Sequence, residues 1–149
     1  MSGSLDHSPA DILRYLLIDL GLGTLPSSAG VWPVYATKEP DSPDSCITVY
    51  DTEGTRDGRT MANGEVQQHY GAQVRVRAPT HALGHAKANA VAEALDKQVW
   101  LDTVTIGSSV YMVYAVSRRS GPFSLGEESP TSKRVIFTLN VTIAVRQTN

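Results

Sequence analysis

Residues 135–145 alternate between sizeable apolar side chains and smaller, mostly polar ones. A repeat of two predicts a β-strand, because successive side chains of a strand point to opposite faces of its sheet. At about 3.3 Å per residue the strand extends about 36 Å, well beyond the usual length of roughly five or six residues. A long exposed apolar edge promotes aggregation, so we expect this strand at the centre of a sheet. The apolar members of the repeat are Val135, Phe137, Leu139, Val141, Ile143 and Val145.

The overall composition is that of an ordinary globular domain. The chain has 149 residues, of which 41% are hydrophobic and 19% are charged. The chain is too apolar to be a disordered segment, and it is too short to form two domains that each bury a sizeable core. We expect a single domain over residues 1–149, in which residues 1–5 form a flexible leader. The formal net charge of -2 argues against a protein that grips nucleic acid with its whole surface.

Cys46 is the single cysteine, so no disulfide can form within the chain. An apolar run follows it, which predicts a buried and unreactive thiol. The first thirty residues lack the pattern of a secretory signal, and no segment approaches the roughly 20 apolar residues of a membrane span. These features predict a protein of the reducing cytoplasm without membrane contact.

Capping residues and apolar spacing predict two helices. Ser8 can cap a helix that ends at Gly21 or Gly23, and Thr80 can cap a second helix that ends near Lys97. Small apolar residues make the buried face of the second helix narrow, so this helix can lie close to a sheet. The face predicted from the sequence consists of Leu83, Ala86, Ala90, Val91, Ala94 and Leu95.

Shorter apolar or alternating segments predict the remaining strands. They lie at residues 31–36, 46–50, 70–78, 99–106 and 109–118. We expect the last two to form a hairpin and both of its strands to pair with the C-terminal strand. The predicted fold is therefore α+β (mixed α/β), with one central, mostly antiparallel β-sheet, two helices packed on it and long protruding loops.

Two segments rich in glycine and charge are predicted to be the long loops, at residues 51–65 and 119–133. Loops longer than about 12 residues are usually functional or disordered. Arg75 and Arg77 share one face of strand 70–78. Their guanidinium groups either follow a solvated face of the sheet or meet acidic groups of a neighbouring subunit or a phosphate.

No arrangement of residues indicates catalysis or metal binding. His81 and His85 have the spacing of two metal ligands on a helix, but no third ligand is indicated and no acid lies between them. Ser129 and Lys133 are four residues apart, which does not match the Ser-x-x-Lys spacing of acyl-transfer enzymes. The sequence predicts no catalytic residue, metal or cofactor.

Four short motifs carry a family resemblance. They are Ile-Thr-Val-Tyr-Asp-Thr at residues 47–52, Gln-Val-Arg-Val-Arg-Ala at residues 73–78, Gly-Pro-Phe-Ser-Leu-Gly at residues 121–126 and Phe-Thr-Leu-Asn-Val at residues 137–141. The second motif leads directly into a helix that ends in Ala-Glu-Ala-Leu at residues 92–95. The chain resembles the tail terminator (tail completion) and minor capsid proteins of long-tailed bacteriophages.

The resemblance covers roughly residues 10–146 and implies a structural virion protein, not an enzyme. Proteins of this family are small α/β domains that form a ring, commonly of six subunits, at the head-proximal end of the tail tube. The ring stops tube growth and offers a docking surface to the head. The implied partners are further copies of the chain, the tail tube protein and a head-completion or connector protein. The resemblance further implies that DNA passes through the lumen without specific binding and that assembly takes place in the host cytoplasm.

Under this resemblance the charged segments and the paired arginines are the candidate subunit or partner interfaces. We expect residues 51–65 and 119–133 to contact the tube or the head, and the strand arginines to face a neighbouring subunit or the body of the sheet. The predicted interface residues are Arg56, Asp57, Arg59, Arg75, Arg77, Arg118, Arg119, Phe123, Glu127 and Glu128.

Three other functions remain open from the sequence. A head-closure or connector protein of the head–tail junction has the same kind of partners. A small nucleic-acid-binding module needs a basic sheet face with interleaved aromatic residues, and its arginines would be Arg75, Arg77, Arg118 and Arg119. A small hydrolase needs a nucleophile or metal beside His69, His81 or His85, and the sequence indicates neither.

Overall fold

A computed structural model describes residues 5–27, 30–59, 66–97 and 101–148. Within these residues the chain forms two helices and six strands, which together give an α+β fold as predicted. The elements in chain order are α1 Pro9–Asp19, β1 Val34–Ala36, β2 Cys46–Arg59, β3 Val66–Ala78, α2 His81–Lys97, β4 Asp102–Ile106, β5 Ser109–Glu127 and β6 Val135–Gln147.

The C-terminal strand β6 lies inside the sheet, as the alternating sequence predicts. The sheet has the order β1-β2-β3-β6-β5-β4, so β6 pairs with β3 on one side and with β5 on the other. All neighbours are antiparallel except β1 and β2. The prediction that both hairpin strands pair with β6 is wrong for β4. A tight turn at Gly107, whose φ is +60°, folds β4 against β5 alone.

Helix α1 begins and ends where the sequence predicts. The Ser8 hydroxyl accepts a hydrogen bond from the Asp11 backbone N–H at 3.3 Å, which satisfies one of the free donors of the first turn. Gly21 follows the helix with a φ of +79°, a left-handed conformation that suits glycine. Of the predicted flexible leader, residues 1–4 lie outside the described residues, whereas Leu5 packs against the apolar cluster.

Helix α2 also has the predicted bounds, and Thr80 caps it by accepting from the Leu83 N–H at 3.3 Å. The predicted buried face is wrong at three positions, because Leu83 is 52% exposed and Ala86 and Ala90 are exposed as well. The buried side of α2 instead includes Gly84, where an added Cβ would lie 2.9 Å from the Phe137 ring. A glycine permits the close approach of helix and strand, which a count of large apolar residues does not reveal. The buried residues of α2 are Gly84, Ala88, Val91, Ala92, Ala94 and Leu95.

The two faces of the sheet differ in what covers them. On the first face, Val74 and Leu139 belong to one buried apolar cluster together with Ile12 of α1 and Val91 of α2. The second face carries the intervening residues, of which only some are buried. Its buried members include Cys46, Thr48, Arg77, Ile136 and Thr138.

The two predicted long loops are largely strands, which corrects that part of the sequence prediction. Residues 51–59 continue β2 and pair with β3, and residues 119–127 continue β5 and pair with β6. Residues 60–65 lie outside the described residues. Register shifts accommodate the glycine-rich and charged sequence in both strands, because a bulge tolerates residues that a regular ladder would not.

Gly121 tests this account of β5. It has a φ of +90°, and an added Cβ would lie 2.5 Å from the Thr138 carbonyl oxygen and 2.9 Å from the Leu139 Cα. Gly121→Ala should lower the free energy of unfolding by about 3 kcal/mol or more, because it combines backbone strain with overlap against main-chain atoms. Urea denaturation measures the change.

Gly126→Ala is the matched control for that experiment. Gly126 has a similar φ of +84°, but nothing lies within 4 Å of an added Cβ. Its substitution should cost only the backbone strain, about 1–2 kcal/mol. Equal losses in the two variants would contradict a close approach of β5 to β6 at Gly121.

Candidate assembly surface

A segment between β1 and β2, residues 37–45, covers one end of the second sheet face, and we call it the strap. Arg77 of β3 holds it. The Arg77 guanidinium donates to the Pro43 carbonyl at 2.6 Å and to the Asp44 carbonyl at 3.4 Å. The residue is 1% exposed, so these bonds replace its water. A buried arginine without such partners would be strongly destabilising.

The turn between β5 and β6, residues 128–134, also contacts the strap. Arg134 donates to the Glu128 carboxylate and to the Asp41 carbonyl, and its Nη1 lies 3.5 Å from an Asp44 carboxylate oxygen. The other Glu128 oxygen accepts from Arg77 at 3.4 Å. Glu128 therefore joins two arginines, and the ion pairs tie strap, β3 and turn into one cluster.

Burial and the charges of the cluster act on the pKa values of two groups, and the balance between them differs. Burial alone would raise the pKa of Glu128, but hydrogen bonds and charge from Arg134 outweigh it, so the pKa lies below the ordinary value of 4.5. Burial raises the pKa of the Cys46 thiol, and the nearby charge of Arg77 only partly opposes that shift. The thiol is fully buried and unpaired, as predicted from the sequence.

Arg75 lies beside the strap on the same face as Arg77. Its Nη2 is 3.6 Å from a Glu39 carboxylate oxygen, and its guanidinium carbon is 6.0 Å from the centre of the Tyr50 ring. Both strand arginines thus have partners in their own chain. A nucleic-acid-binding module would need these guanidinium groups to face its ligand, but here both are engaged by groups of the same chain.

Most residues in the second half of β5 are exposed, namely 117–120 and 123–127. Phe123 and Leu125 are 42% and 55% exposed, although large apolar side chains usually lie inside a protein. Arg118 reaches Asp96 of α2 at 2.9 Å, whereas the Arg119 side chain is exposed. Exposed apolar side chains on the same strand as an exposed arginine, here Arg119, are typical of a surface that contacts another protein.

The outer edge of this half-strand is also unpaired within the described part of the chain. Hairpin partner β4 pairs only with residues 109–113 of β5. Beyond them, Leu101 donates one backbone hydrogen bond to the Tyr114 carbonyl at 3.4 Å, and the preceding residues 98–100 lie outside the described residues. An open strand edge presents N–H and C=O groups that can pair with another chain.

The predicted interface residues fall into three places. Arg75, Arg77 and Glu128 belong to the strap and its ion pairs. Four of them lie within β5, namely Arg118, Arg119, Phe123 and Glu127. The Glu127 carboxylate lies 3.9 Å from the Nζ of the exposed Lys133. The backbone of Arg56, Asp57 and Arg59 lies in β2 at the far end of the sheet, and their side chains lie outside the described part of the structure.

Sequence reasoning missed Arg134 and the acids of the strap. Arg134 precedes β6 directly, and Glu39 and Asp44 stand in a turn-rich connection, so their local sequence resembles ordinary surface. Glu39 pairs with Arg75, and the Asp44 carboxylate pairs with Arg134, in each case across more than thirty residues of the chain. No local spacing could have indicated these pairs.

The histidines form no metal site among the described residues. His81 and His85 stack with ring centres 6.2 Å apart, and Asn89 occupies one side of His85 through its amide. In the part of the chain that the structure describes, no three His, Cys, Asp or Glu side chains come together as metal ligands.

Comparison with known families assigns the chain. A family model described as "Bacteriophage tail terminator protein" matches residues 16–147, which include the whole sheet, α2 and the last four residues of α1. The chain belongs to the bacteriophage tail terminator family. Members of this family are structural components of the phage tail, so this tail terminator homologue is a virion protein, as the resemblance implied.

Two further comparisons concern individual proteins. Among solved structures, a chain from the virion of a native gene transfer agent (GTA) particle is similar to this tail terminator homologue, with 13% identity and a TM-score of 0.46. The match covers 76% of this chain and 78% of that chain. No curated protein matches the sequence. Among the described residues, no helix is both long enough and apolar enough to cross a membrane.

The ion pairs of Glu128 predict acid sensitivity of the fold. A carboxylate whose pKa is lowered by folding stabilises the native state above its unfolded pKa, and this contribution disappears as the pH falls through the folded value. Between pH 6 and pH 3 the wild type should therefore lose more stability than Glu128→Gln, whose side chain does not titrate. Urea midpoints at each pH measure the difference, and parallel profiles would contradict the role of Glu128.

Proposed function

We propose that this protein ends the growth of a phage tail tube by closing into a ring at its head-proximal end. Membership of the tail terminator family carries the proposal. The ring, with six subunits as the family resemblance implies, stops addition of tube subunits on one side. On its other side it offers the surface to which the completed head docks.

The two ends of the sheet differ in structure, which suits a protein that lies between two different partners. Strands β2 and β3 continue as a two-stranded ribbon beyond the pair of His69 and Ala144, where β3 and β6 part. The turn at residues 128–134 lies at the opposite end of β6. A two-stranded ribbon is marginally stable by itself and gains from contact with a partner. We assign one end of the sheet to the tube and the other end to the head-completion or connector protein.

The charges divide into those that build the subunit and those that are available for assembly. Arg75, Arg77 and Glu128 fix the strap within their own chain, so their part in assembly is to hold that surface in shape. Arg119 and Phe123 are exposed on β5 and are available to a neighbouring subunit. The ribbon residues Arg56, Asp57 and Arg59 are the proposed contacts at the far end.

The remaining parts of the proposal concern the domain and the lumen. Residues 1–149 act as one domain, with both helices packed on the first face of the sheet. The ring assembles in the host cytoplasm, and DNA later passes through its lumen without specific binding. The weak negative charge of -2 fits such a lumen, since like charge limits attraction of the phosphate backbone.

Tube polymerisation in the presence of this protein tests the proposal. Purified tail tube protein should form tubes whose growth stops when this chain is added, and electron microscopy should place a ring at one end only. The capped complex should contain the chain at about six times its mass of 16.0 kDa. Tubes that elongate unchanged and carry none of this protein would contradict the proposal.

The same purified protein can also distinguish the proposed terminator role from a head-closure role. A connector or head-closure protein would bind the portal end of filled heads and leave naked tubes uncapped. Sedimentation of the chain with tubes and, separately, with tailless heads therefore separates the two functions.

A further inference from the structure

Exposed large hydrophobic side chains of the described residues lie at two opposite borders of the sheet. At one border, Val31 lies just before β1, the outermost strand, and is 72% exposed. At the other border, Phe123 and Leu125 belong to the part of β5 that lies beyond the residues paired with β4. Two different apolar patches on opposite sides are what a head-to-tail contact between copies of one chain requires.

Helix α2 enlarges the patch at the β1 border. The Lys87 ammonium lies 5.3 Å from the centre of the Trp32 ring, so this flank of α2 faces the segment before β1. Leu83 precedes Lys87 by one helical turn and therefore lies on the same flank, where it is 52% exposed. We call Val31, Trp32, Leu83 and Lys87 the β1 patch, and Phe123, Leu125 and Glu127 the β5 patch.

Both borders are better suited to side-chain contact than to a further strand. At the β1 border, Thr24 accepts from the Val34 N–H and donates to the Trp32 carbonyl, both at 2.9 Å, so these outer main-chain groups are occupied. At the β5 border, register shifts interrupt residues 118–126, and Pro122 has no N–H. A neighbouring molecule would therefore gain mainly apolar contact at either border.

The two patches lie level with each other across the sheet. One row of paired residues joins the borders, from β1 to β5: Val34, Ile47, Val76, Phe137 and Ser124. Ser124 stands between Phe123 and Leu125, the apolar members of the β5 patch. A second copy placed beside the first at the same height would thus bring its β1 patch to the β5 patch.

The charges of the two patches are complementary. Burial lowers the pKa of the Lys87 amine, and no charged group of the described residues opposes that shift. Glu127 is 52% exposed, and its neighbour Lys133 is 82% exposed, so their contact at 3.9 Å contributes little.

Lys87 and Glu127 also correspond in position along the sheet. Strands β1 and β5 run in opposite directions, as the pairing of successive strands shows. Trp32, which lies beneath Lys87, is two residues before Val34, and Glu127 is two pairs beyond Ser124. Both steps lead toward the same end of the sheet, so the ammonium and the carboxylate face each other between adjacent copies.

We infer that the β1 patch of one subunit packs against the β5 patch of the next, with Lys87 paired to Glu127, and that this seam closes the ring. The inference rests on the proposed function, because it names the contact through which that ring forms. Different patches meet at the seam, so rotation can repeat the contact until the ring closes. The ion pair at the edge of the apolar contact fixes the partner and its register.

Cross-linking between single variants tests whether the two patches meet. Val31→Cys and Leu125→Cys each place one thiol on a different patch. On tail tubes, an equal mixture of the two variants should give covalent dimers with a flexible bis-maleimide, and the double variant should give a ladder that ends at the subunit number. Each single variant alone should stay monomeric, because like patches never meet. The wild type controls for Cys46, which is fully buried.

A charge swap tests the ion pair. Lys87→Glu and Glu127→Lys should each weaken ring assembly at least about fivefold, because each places like charges at the seam, and the double variant should assemble within about twofold of the wild type. Lys87→Glu also loses the contact with Trp32 in its own chain, so rescue by Glu127→Lys reports on the seam. Glu93→Lys, at an exposed position of α2, is the matched control and should give no rescue. Circular dichroism establishes that the variants are folded.

The outcomes separate this inference from the proposed function. A ladder together with rescue supports the seam. A ladder without rescue supports the two patches and overturns the pairing of Lys87 with Glu127. Rings that form on tubes without a ladder overturn the seam and leave the terminator role standing. If the wild type forms no ring on tubes, the proposed function fails and the seam fails with it.

Discussion

The pairing of β6 on both of its edges is the constraint on which the rest of the fold depends. Its two long neighbours, β3 and β5, run antiparallel to it over most of its length. Because both edges of β6 are used within the subunit, any growth of the sheet must take place at the outer borders. The apolar residues of β6 belong to the buried cluster that also includes residues of both helices, so the same strand lies at the centre of the sheet and of the core.

The second face of the sheet is stabilised by a different kind of interaction. There the strap and the β5–β6 turn meet around Arg77 and Glu128, in bonds that are charge-assisted and largely removed from water. Such pairs contribute to specificity of position more than to net stability, since desolvation offsets much of the attraction. Their effect is to hold two irregular segments in one arrangement at the end of the sheet.

The sequence predicted those features that depend on local patterns. The alternation of β6 established a central strand, and the caps Ser8 and Thr80 placed both helix starts. Local patterns failed where long-range contact decides. The sequence predicts a loop at Gly121 because glycine is rare inside strands, yet the close approach of β5 to β6 there is what requires a glycine. The partner of Arg77 could not be predicted either, since chain connectivity gives no information about which distant carbonyls cover a buried guanidinium.

The single thiol beside Arg77 has a consequence of its own. Cys46 lies on the face that the strap covers and is fully buried, with its pKa raised by that burial. A thiol reagent can reach it only when the strap lifts from the sheet, so the labelling rate of the unmodified protein reports opening of this segment without any engineered probe. Comparison of that rate in free and tube-bound protein would reveal whether docking clamps the strap or releases it.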